Sequence, residues 1–259
     1  MRQSHSNLKR VLQLPDLPAD YRPLKEPEFF AEGTGNSHWL ITSPVGKLVW
    51  RQFGQAPGVD HQRETKLLTS LQNKAWVPRL LLAVDNLGLL MEFAEGEHPQ
   101  AEQLTKNQRQ SLINLALELW QTPNEVAAQN YPQLLNNYWQ LAGSQTASKP
   151  LLEALVKESQ SWPSSCYRLT HHDLHAGNLL LNNKGLNNQS WILLDWEYAA
   201  LGNPWLDAVS LDRFMSLTND EKAQLEAALP PLAVYTNPWQ SLGRWLADLD
   251  SLWESAIDA

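Results

Sequence analysis

Two short apolar runs, residues 179–181 and 191–194, flank a polar stretch that begins Asn182-Asn183-Lys184-Gly185, a pattern that reads as a β-hairpin. A hairpin sets the residue before its first strand beside the residue after its second. Asn178 and Asp195 hold those two positions. The local order of the chain therefore brings two oxygen donors to one end of one hairpin, where a hard cation such as Mg²⁺ is at home. Immediately upstream, residues 171–178 read His-His-Asp-Leu-His-Ala-Gly-Asn.

Phosphoryl transfer is mostly positioning and charge neutralisation. One carboxylate receives the proton of the attacking hydroxyl, and an Asn with a second carboxylate holds Mg²⁺ against the phosphates. Asp173, Asn178 and Asp195 supply that set, and the five-residue step from Asp173 to Asn178 agrees with the H-x-D-L-x-x-x-N pattern of kinase catalytic loops. His, Asp and Asn are also ordinary loop residues, and an Asp after a strand often only begins a turn. The hairpin order counts against that plainer reading.

With 259 residues the chain has room for one large domain or two lobes with a substantial core. A net charge of -8 and no basic stripe argue against a nucleic-acid partner and tolerate a cationic substrate. Cys166 is the only cysteine, which excludes an intrachain disulfide framework and fits a reducing cytoplasm. No apolar run reaches membrane-spanning length, and residues 1–20, where Pro15 and Pro18 interrupt a short Leu-rich stretch, lack the apolar region of a signal peptide. The expectation is a soluble cytoplasmic protein that meets a small molecule, with no membrane and no protein partner called for.

The first hundred residues are strand-rich. Runs 39–42 and 47–53 flank the turn Ser43-Pro44-Val45-Gly46, and runs 80–84 and 89–93 flank Asp85-Asn86-Leu87-Gly88, which predicts two hairpins. Between them, Glu64, Leu67, Leu68 and Leu71 recur at helical spacing within 60–74. After about residue 103 the pattern turns helical. Thr105 and Gln108 form a capping box ahead of Leu112, Ile113, Ala116, Leu117 and Trp120, and Thr218 with Glu221 repeats it. Further helices are predicted at 132–142, at 150–161 with Pro150 in the first turn, and in a last amphipathic segment marked by Leu242, Trp245, Leu246, Leu249, Leu252 and Trp253. The boundary falls at Glu95-Gly96-Glu97-His98-Pro99, giving an N-terminal nucleotide-binding lobe over 1–95 and a C-terminal catalytic and substrate-binding lobe over 96–259.

In the first lobe, Gly33-Thr34-Gly35-Asn36-Ser37 lies between strand-like runs, and a turn of this kind lets backbone amides approach phosphate oxygens. An ordinary hairpin turn would look the same. Arg51 shares a strand face with Val49 and Phe53, so it wants an anionic partner; Glu64, on a helical stripe with Leu68 and Leu71, is the candidate. Such a pair would aim the guanidinium at the α- and β-phosphates. A surface ion pair is the alternative.

Three blocks, 169–178, 192–199 and 202–207, together resemble in order and spacing the aminoglycoside phosphotransferase and choline kinase superfamily, the small-molecule relatives of protein kinases. The resemblance runs loosely from about residue 27 to the C-terminus. It implies an α+β, bilobal protein-kinase-like fold with ATP in the cleft: a small antiparallel-sheet N-lobe with one helix, and a larger, mostly helical C-lobe carrying the catalytic β-hairpin. Carried over residue by residue, Asp173 is the base, Asn178 and Asp195 hold Mg²⁺, Arg51 contacts phosphate and Glu64 orients it. Gly33, Gly35 and Ser37 line the phosphate turn, and the backbone from Met91 through Phe93 to Ala94 meets the adenine. His171 and Asp207 brace the catalytic loop. Two departures stand out: most kinases have Lys where Arg51 stands, and His172 occupies a position that is often Gly in the antibiotic-modifying branch.

The words Asp195-Trp196-Glu197-Tyr198-Ala199, Tyr138-Trp139-Gln140 and His175-Ala176-Gly177-Asn178 are most similar to the thiamine kinase and choline kinase branch. Asp173, Asp195, Glu197 and Asp207 concentrate negative charge, and an aromatic face stabilises a quaternary or thiazolium cation by roughly 0.5–2 kcal/mol. Trp139, Trp196, Tyr198 and Trp205, with His175 and Glu197, are the candidate substrate contacts; core packing is the competing role for the tryptophans. The expected acceptor is a small cationic alcohol, thiamine ahead of choline. Ethanolamine, an aminoglycoside or a sugar is the alternative within the same chemistry. A degenerate kinase that only binds nucleotide is disfavoured because Asp173, Asn178 and Asp195 are all present, and an assembly role for the Trp-rich helices stands as a third reading.

Overall fold

The computed structural model describes residues 8–15, 17–33, 35–145, 148–182 and 190–258. Residues 1–7 of the N-terminal stretch, Thr34 of the glycine turn and most of the polar segment between the two catalytic strands, 183–189, lie outside them. Contacts divide the chain into two compact units, Met1–Ala56 with Leu68–Glu95, and Pro57–Leu67 with Gly96–Ala259. Residues 57–67 group with the second unit, whereas the sequence pattern places them in the first lobe.

In the first unit, alternating apolar residues around Pro44-Val45 produce a tight hairpin. Strands β2 (Ser37–Ser43) and β3 (Gly46–Gln52) pair antiparallel with Ser43 opposite Gly46, and the Ser43 hydroxyl donates to the Gly46 carbonyl at 2.9 Å. Strand β1 (Glu28–Glu32) pairs with β2, and β4 (Leu80–Val84) with β5 (Gly88–Glu92); β5 closes against β3. The sheet order is β1-β2-β3-β5-β4. Trp39, Ile41, Leu48, Trp50 and Leu90 point into one core with Leu8, Val11 and Leu17, each such side chain contributing roughly 1.5–3 kcal/mol by leaving water. Helix α1 (His61–Ser70) crosses the division between the units, with Glu64, Leu67 and Leu68 buried along it as their spacing predicts.

The second unit is mostly helical. Helix α2 (Lys106–Gln121) starts at the predicted capping box, with Thr105 accepting from the Gln108 amide and Gln108 reaching back. Helices α3 (Tyr131–Leu141) and α4 (Lys149–Gln160) carry proline in their first turns. Helix α5 (Trp205–Met215) is followed by α6 (Asn219–Glu226), which begins at the Thr218 and Glu221 box, and by the long α7 (Pro238–Ile257). Helix α7 packs on α3, α4 and α5. The β content is two small antiparallel pairs, β6 (Arg168–Thr170) with β9 (Ala200–Gly202) and β7 (Leu179–Asn182) with β8 (Ser190–Leu193). The fold is α+β, as the pattern implies. Among the described residues no helix is long and apolar enough to cross a membrane.

Candidate active site

Leu179 stands opposite Leu193, and the Leu194 amide donates to the Asn178 carbonyl at 2.8 Å, so the β7–β8 hairpin closes with Asn178 and Asp195 at the same end. Asp195 lies in the left-handed region, φ 57°, which turns the chain sharply as it leaves the strand. The side chain of Asn178 donates to the Asp173 carboxylate at 2.7 Å and to the Asp173 carbonyl at 3.0 Å. Its amide nitrogen is thereby committed to Asp173. The carbonyl oxygen of the same side chain is left as a hard donor, which is the atom a divalent cation beside Asp195 would take. The residues present fit Mg²⁺ in that respect. Among the described residues no three His, Cys, Asp or Glu side chains cluster as a metal site.

Asp207 holds the loop from behind. Fully buried at the start of α5, it accepts from the backbone amides of His171 and His172 at 2.9 Å each and from the Trp120 indole at 3.2 Å. One carboxylate thus satisfies two buried backbone donors, and its burial raises its own pKa. His171 donates from Nε2 to the Leu194 carbonyl at 2.9 Å and packs edge-on against Trp196. The loop and the residue preceding Asp195 are therefore tied through one imidazole.

His172 has φ 65°, which explains why a residue without Cβ suits this position elsewhere. Here the Asn203 amide donates to the Tyr131 hydroxyl at 2.9 Å, and that hydroxyl lies 2.7 Å from His172 Nε2. The hydroxyl accepts from the amide and donates to Nε2, which leaves Nδ1 protonated toward the Tyr198 carbonyl at 3.2 Å. Burial, with the charges of Arg63 and His171 beside it, pulls His172 down to about 3, so the ring is neutral and this tautomer holds.

Of the expected substrate contacts, Tyr198 lies within the electrostatic reach of both Glu197 and Asp173, and its hydroxyl meets Trp253. Trp196 is buried with its indole donating to the Leu193 carbonyl at 2.9 Å, and Trp205 is buried with its indole donating to the Pro230 carbonyl at 2.8 Å. Both indoles are committed to core packing. Trp139, partly exposed near the end of α3, donates to the Gln145 carbonyl at 3.2 Å.

Residues 26–235 match the sequence profile of the phosphotransferase enzyme family, APH. The chain belongs to that family. No curated protein matches it by sequence. Among solved structures, the choline kinase LicA of Streptococcus pneumoniae aligns with a TM-score of 0.75 at 14% identity, covering 100% of this chain and 92% of the other. A choline/ethanolamine kinase family protein from Mesorhizobium loti gives 0.66 at 16%, covering 98% and 85%. Aminoglycoside 2'-phosphotransferase-IIIa, in a GDP complex, gives 0.64 at 18%, covering 100% and 99%. At such identities the likeness is one of fold.

In this phosphotransferase the Asp173 carboxyl sits below its ordinary range. Burial pushes it up, but His175, His171 and the Asn178 amide together outweigh that. His175 Nε2 lies 3.6 Å from Asp173 Oδ1, while its Nδ1 accepts from the Gly177 amide at 3.0 Å, so the protonated edge faces the carboxylate. Its pKa is raised chiefly by Asp173, against burial.

On the first unit of the phosphotransferase, Gly33 and Gly35 lie in the β1–β2 connection and Ser37 opens β2, opposite Glu32. The Gly33 amide donates to the Asn36 carbonyl at 2.8 Å and the Gly54 amide to Asn36 Oδ1 at 3.2 Å. A Cβ on Gly54 would fall 1.4 Å from the Gly35 carbonyl oxygen, so that close approach demands glycine. Arg51 is buried on β3, opposite His38 and Leu89. Met91 pairs with Val49 and Leu80, and the Phe93 amide donates to the Lys47 carbonyl at 3.1 Å. Glu64 belongs to the second unit, with His61 Nδ1 3.6 Å from its carboxylate.

Sequence reasoning missed Tyr131, Tyr138 and Arg63. Tyr131, Leu135 and Tyr138 share one buried face of α3 at spacings of four and three, which marks an inward stripe but not that it ends at the catalytic loop. A cavity of about 350 Å³ lined by Trp120, Asn124, Tyr167 and Leu201 includes none of Asp173, Asn178 and Asp195. Volume is no guide to the chemistry here.

Proposed function

We propose that the chain is an ATP-dependent kinase that phosphorylates the hydroxyl of a small cationic alcohol, thiamine ahead of choline. The observation that carries this reading is the Asp173 carboxylate, oriented by Asn178 at 2.7 Å and accompanied by Glu197, Tyr198 and Tyr138. Asp173 takes the proton of the acceptor hydroxyl as its oxygen attacks the γ-phosphorus, and the bond to the β–γ bridging oxygen breaks to release ADP. Asn178 and Asp195 would hold Mg²⁺, which when bound neutralises phosphate charge. Arg51 provides a fixed guanidinium for phosphate, Gly33, Gly35 and Ser37 give the phosphate turn, and the backbone at Met91 and Phe93 receives the base. Glu197 supplies negative charge for a cationic head group beside the aromatic rings of Tyr138 and Tyr198.

Thiamine, choline, ethanolamine and an aminoglycoside, assayed side by side with labelled ATP, test the reading. Phosphate transfer to thiamine or choline is expected, and Asp173→Asn is expected to slow it by roughly 10²- to 10⁴-fold. Transfer only to the aminoglycoside, or near-wild-type turnover in Asp173→Asn, rejects the acceptor or the base respectively.

A further inference from the structure

Arg63 is a half-buried cation near the start of α1. Its Nε is completely buried and, among the described residues, has no hydrogen-bond partner. Its own helix satisfies only its backbone, the Arg63 amide donating to Asp60 Oδ1 at 3.0 Å. A buried donor left without a partner has given up its hydrogen bond to water, so an Arg held this way is destabilising as packing alone.

The segment leading into α1 is pressed onto α3: a Cβ on Gly58 would lie 2.5 Å from both the Tyr138 hydroxyl and Leu134 Cδ1. Within α1 the charge of Arg63 interacts first with the Asp60 carboxylate and then with Tyr131, Tyr138 and His172. Those three reach the catalytic loop, since Tyr131 is 2.7 Å from His172 and His172 precedes Asp173. The Tyr138 hydroxyl feels the Asp173 and Glu197 carboxylates as well as the Arg63 cation. Acidic groups and a guanidinium whose Nε lacks a partner therefore act on the same tyrosine, all within the second unit.

We propose that Arg63 anchors a second polar group of the acceptor, a hydrogen-bond-accepting oxyanion or ring nitrogen distinct from the hydroxyl that Asp173 deprotonates. This rests on Asp173 marking the acceptor's reacting end. A guanidinium repels a bare cation and matches a lone pair or carboxylate. Choline and ethanolamine offer nothing to it beyond their hydroxyl. Thiamine carries aminopyrimidine nitrogens, and serine is ethanolamine with an added carboxylate.

Arg63→Met and Arg63→Lys in the full chain test the assignment. In Arg63→Met the KM for thiamine should rise roughly 10- to 100-fold while the KM for choline moves at least ten times less, with the rise falling on KM rather than kcat. Arg63→Lys, which keeps the charge without the planar fork, should fall between, and it carries the comparison alone if the Met variant does not fold. An equal effect on thiamine and choline, or none on either, overturns the proposal. A second arm reads thermal stabilisation by serine against ethanolamine, with ADP and Mg²⁺ present. Stabilisation by serine that is lost in Arg63→Met sustains the Arg63 assignment even if neither thiamine nor choline is phosphorylated, in which case only the acceptor reading fails. Serine and ethanolamine behaving alike in both proteins overturns it.

Discussion

A histidine at φ 65° is strained by roughly 1–2 kcal/mol relative to glycine, yet His172 holds four segments together through its two ring nitrogens and its amide. Its ring also dictates a distant choice, because a Cβ on Gly202 would fall 2.4 Å from both His172 Nε2 and the Tyr131 hydroxyl. Gly202→Ala is therefore expected to destabilise the protein by about 1–3 kcal/mol, as overpacking does. The same substitution made in a His172→Gly background should cost clearly less, because half the obstruction is gone. Thermal unfolding of the four proteins measures the coupling, and simple additivity would show that the two residues do not constrain each other. His175 permits a prediction in pH. Asp173, held low, keeps its ionised partnership above its ordinary carboxylate range and loses it as pH falls through the lowered value. His175, held high, keeps its share below its ordinary range and loses it as pH rises through the raised value. Replacing His175 by Gln removes the neighbour that holds Asp173 down, so the acid limb of the kcat/KM profile should move to higher pH. A limb that stays in place rejects the pairing.

Between α2 and α6 the decisive element contact is a single fork. Arg109 donates from Nε and a terminal nitrogen to both oxygens of Glu221 at 2.7 Å, and its terminal nitrogens also reach the carbonyls of Met215 and Ser216 at 3.1 Å. The end of α5, where Ser216 turns left-handed at φ 49°, is thus closed by a side chain from α2. Arg109→Ala should destabilise by about 2–4 kcal/mol, since it strands a largely buried carboxylate and two helix-end carbonyls. Scanning calorimetry would detect a fall of roughly 5–15 °C, and a fall of under a degree would reduce the fork to a surface pair. The caps and hairpins around these elements were legible in the sequence because each rests on neighbours within four or five residues: Thr105 with Gln108, Thr218 with Glu221, Ser43 with Gly46. Helix α5 was not. Trp205, Leu206, Asp207, Ala208, Val209 and Leu211 are all buried, so its first two turns have no polar face to give a helical period. Strands β6 and β9 have three residues each, too few for alternation to register. The site divides in the same way: Asp173 and Asn178 stand in one continuous motif with Asp195 after the second strand of the hairpin, whereas Tyr131 comes to the loop only through the packing of α3.

Charge acts over the whole molecule. With -8 overall, and with Asp173 on the loop before β7 and Asp195 and Glu197 on the segment after β8, the chain presents a negative field to anything approaching these carboxylates. Such a field raises the encounter rate of a cation and fades as salt shortens the Debye length, from about 30 Å at about 0.01 M to about 10 Å at about 0.1 M. If the acceptor is cationic, kcat/KM for it should fall roughly 3- to 10-fold between about 0.02 and 0.5 M salt, measured with ATP saturating so that nucleotide binding does not enter. A neutral hydroxylated acceptor handled by the same site should show almost none of this. The contrast isolates the acceptor's charge from its shape, because both compounds meet the same Asp173. Equal salt sensitivity for the charged and neutral acceptors would assign the acidic balance to solubility alone, and Glu197 would lose its proposed part in recognising the head group.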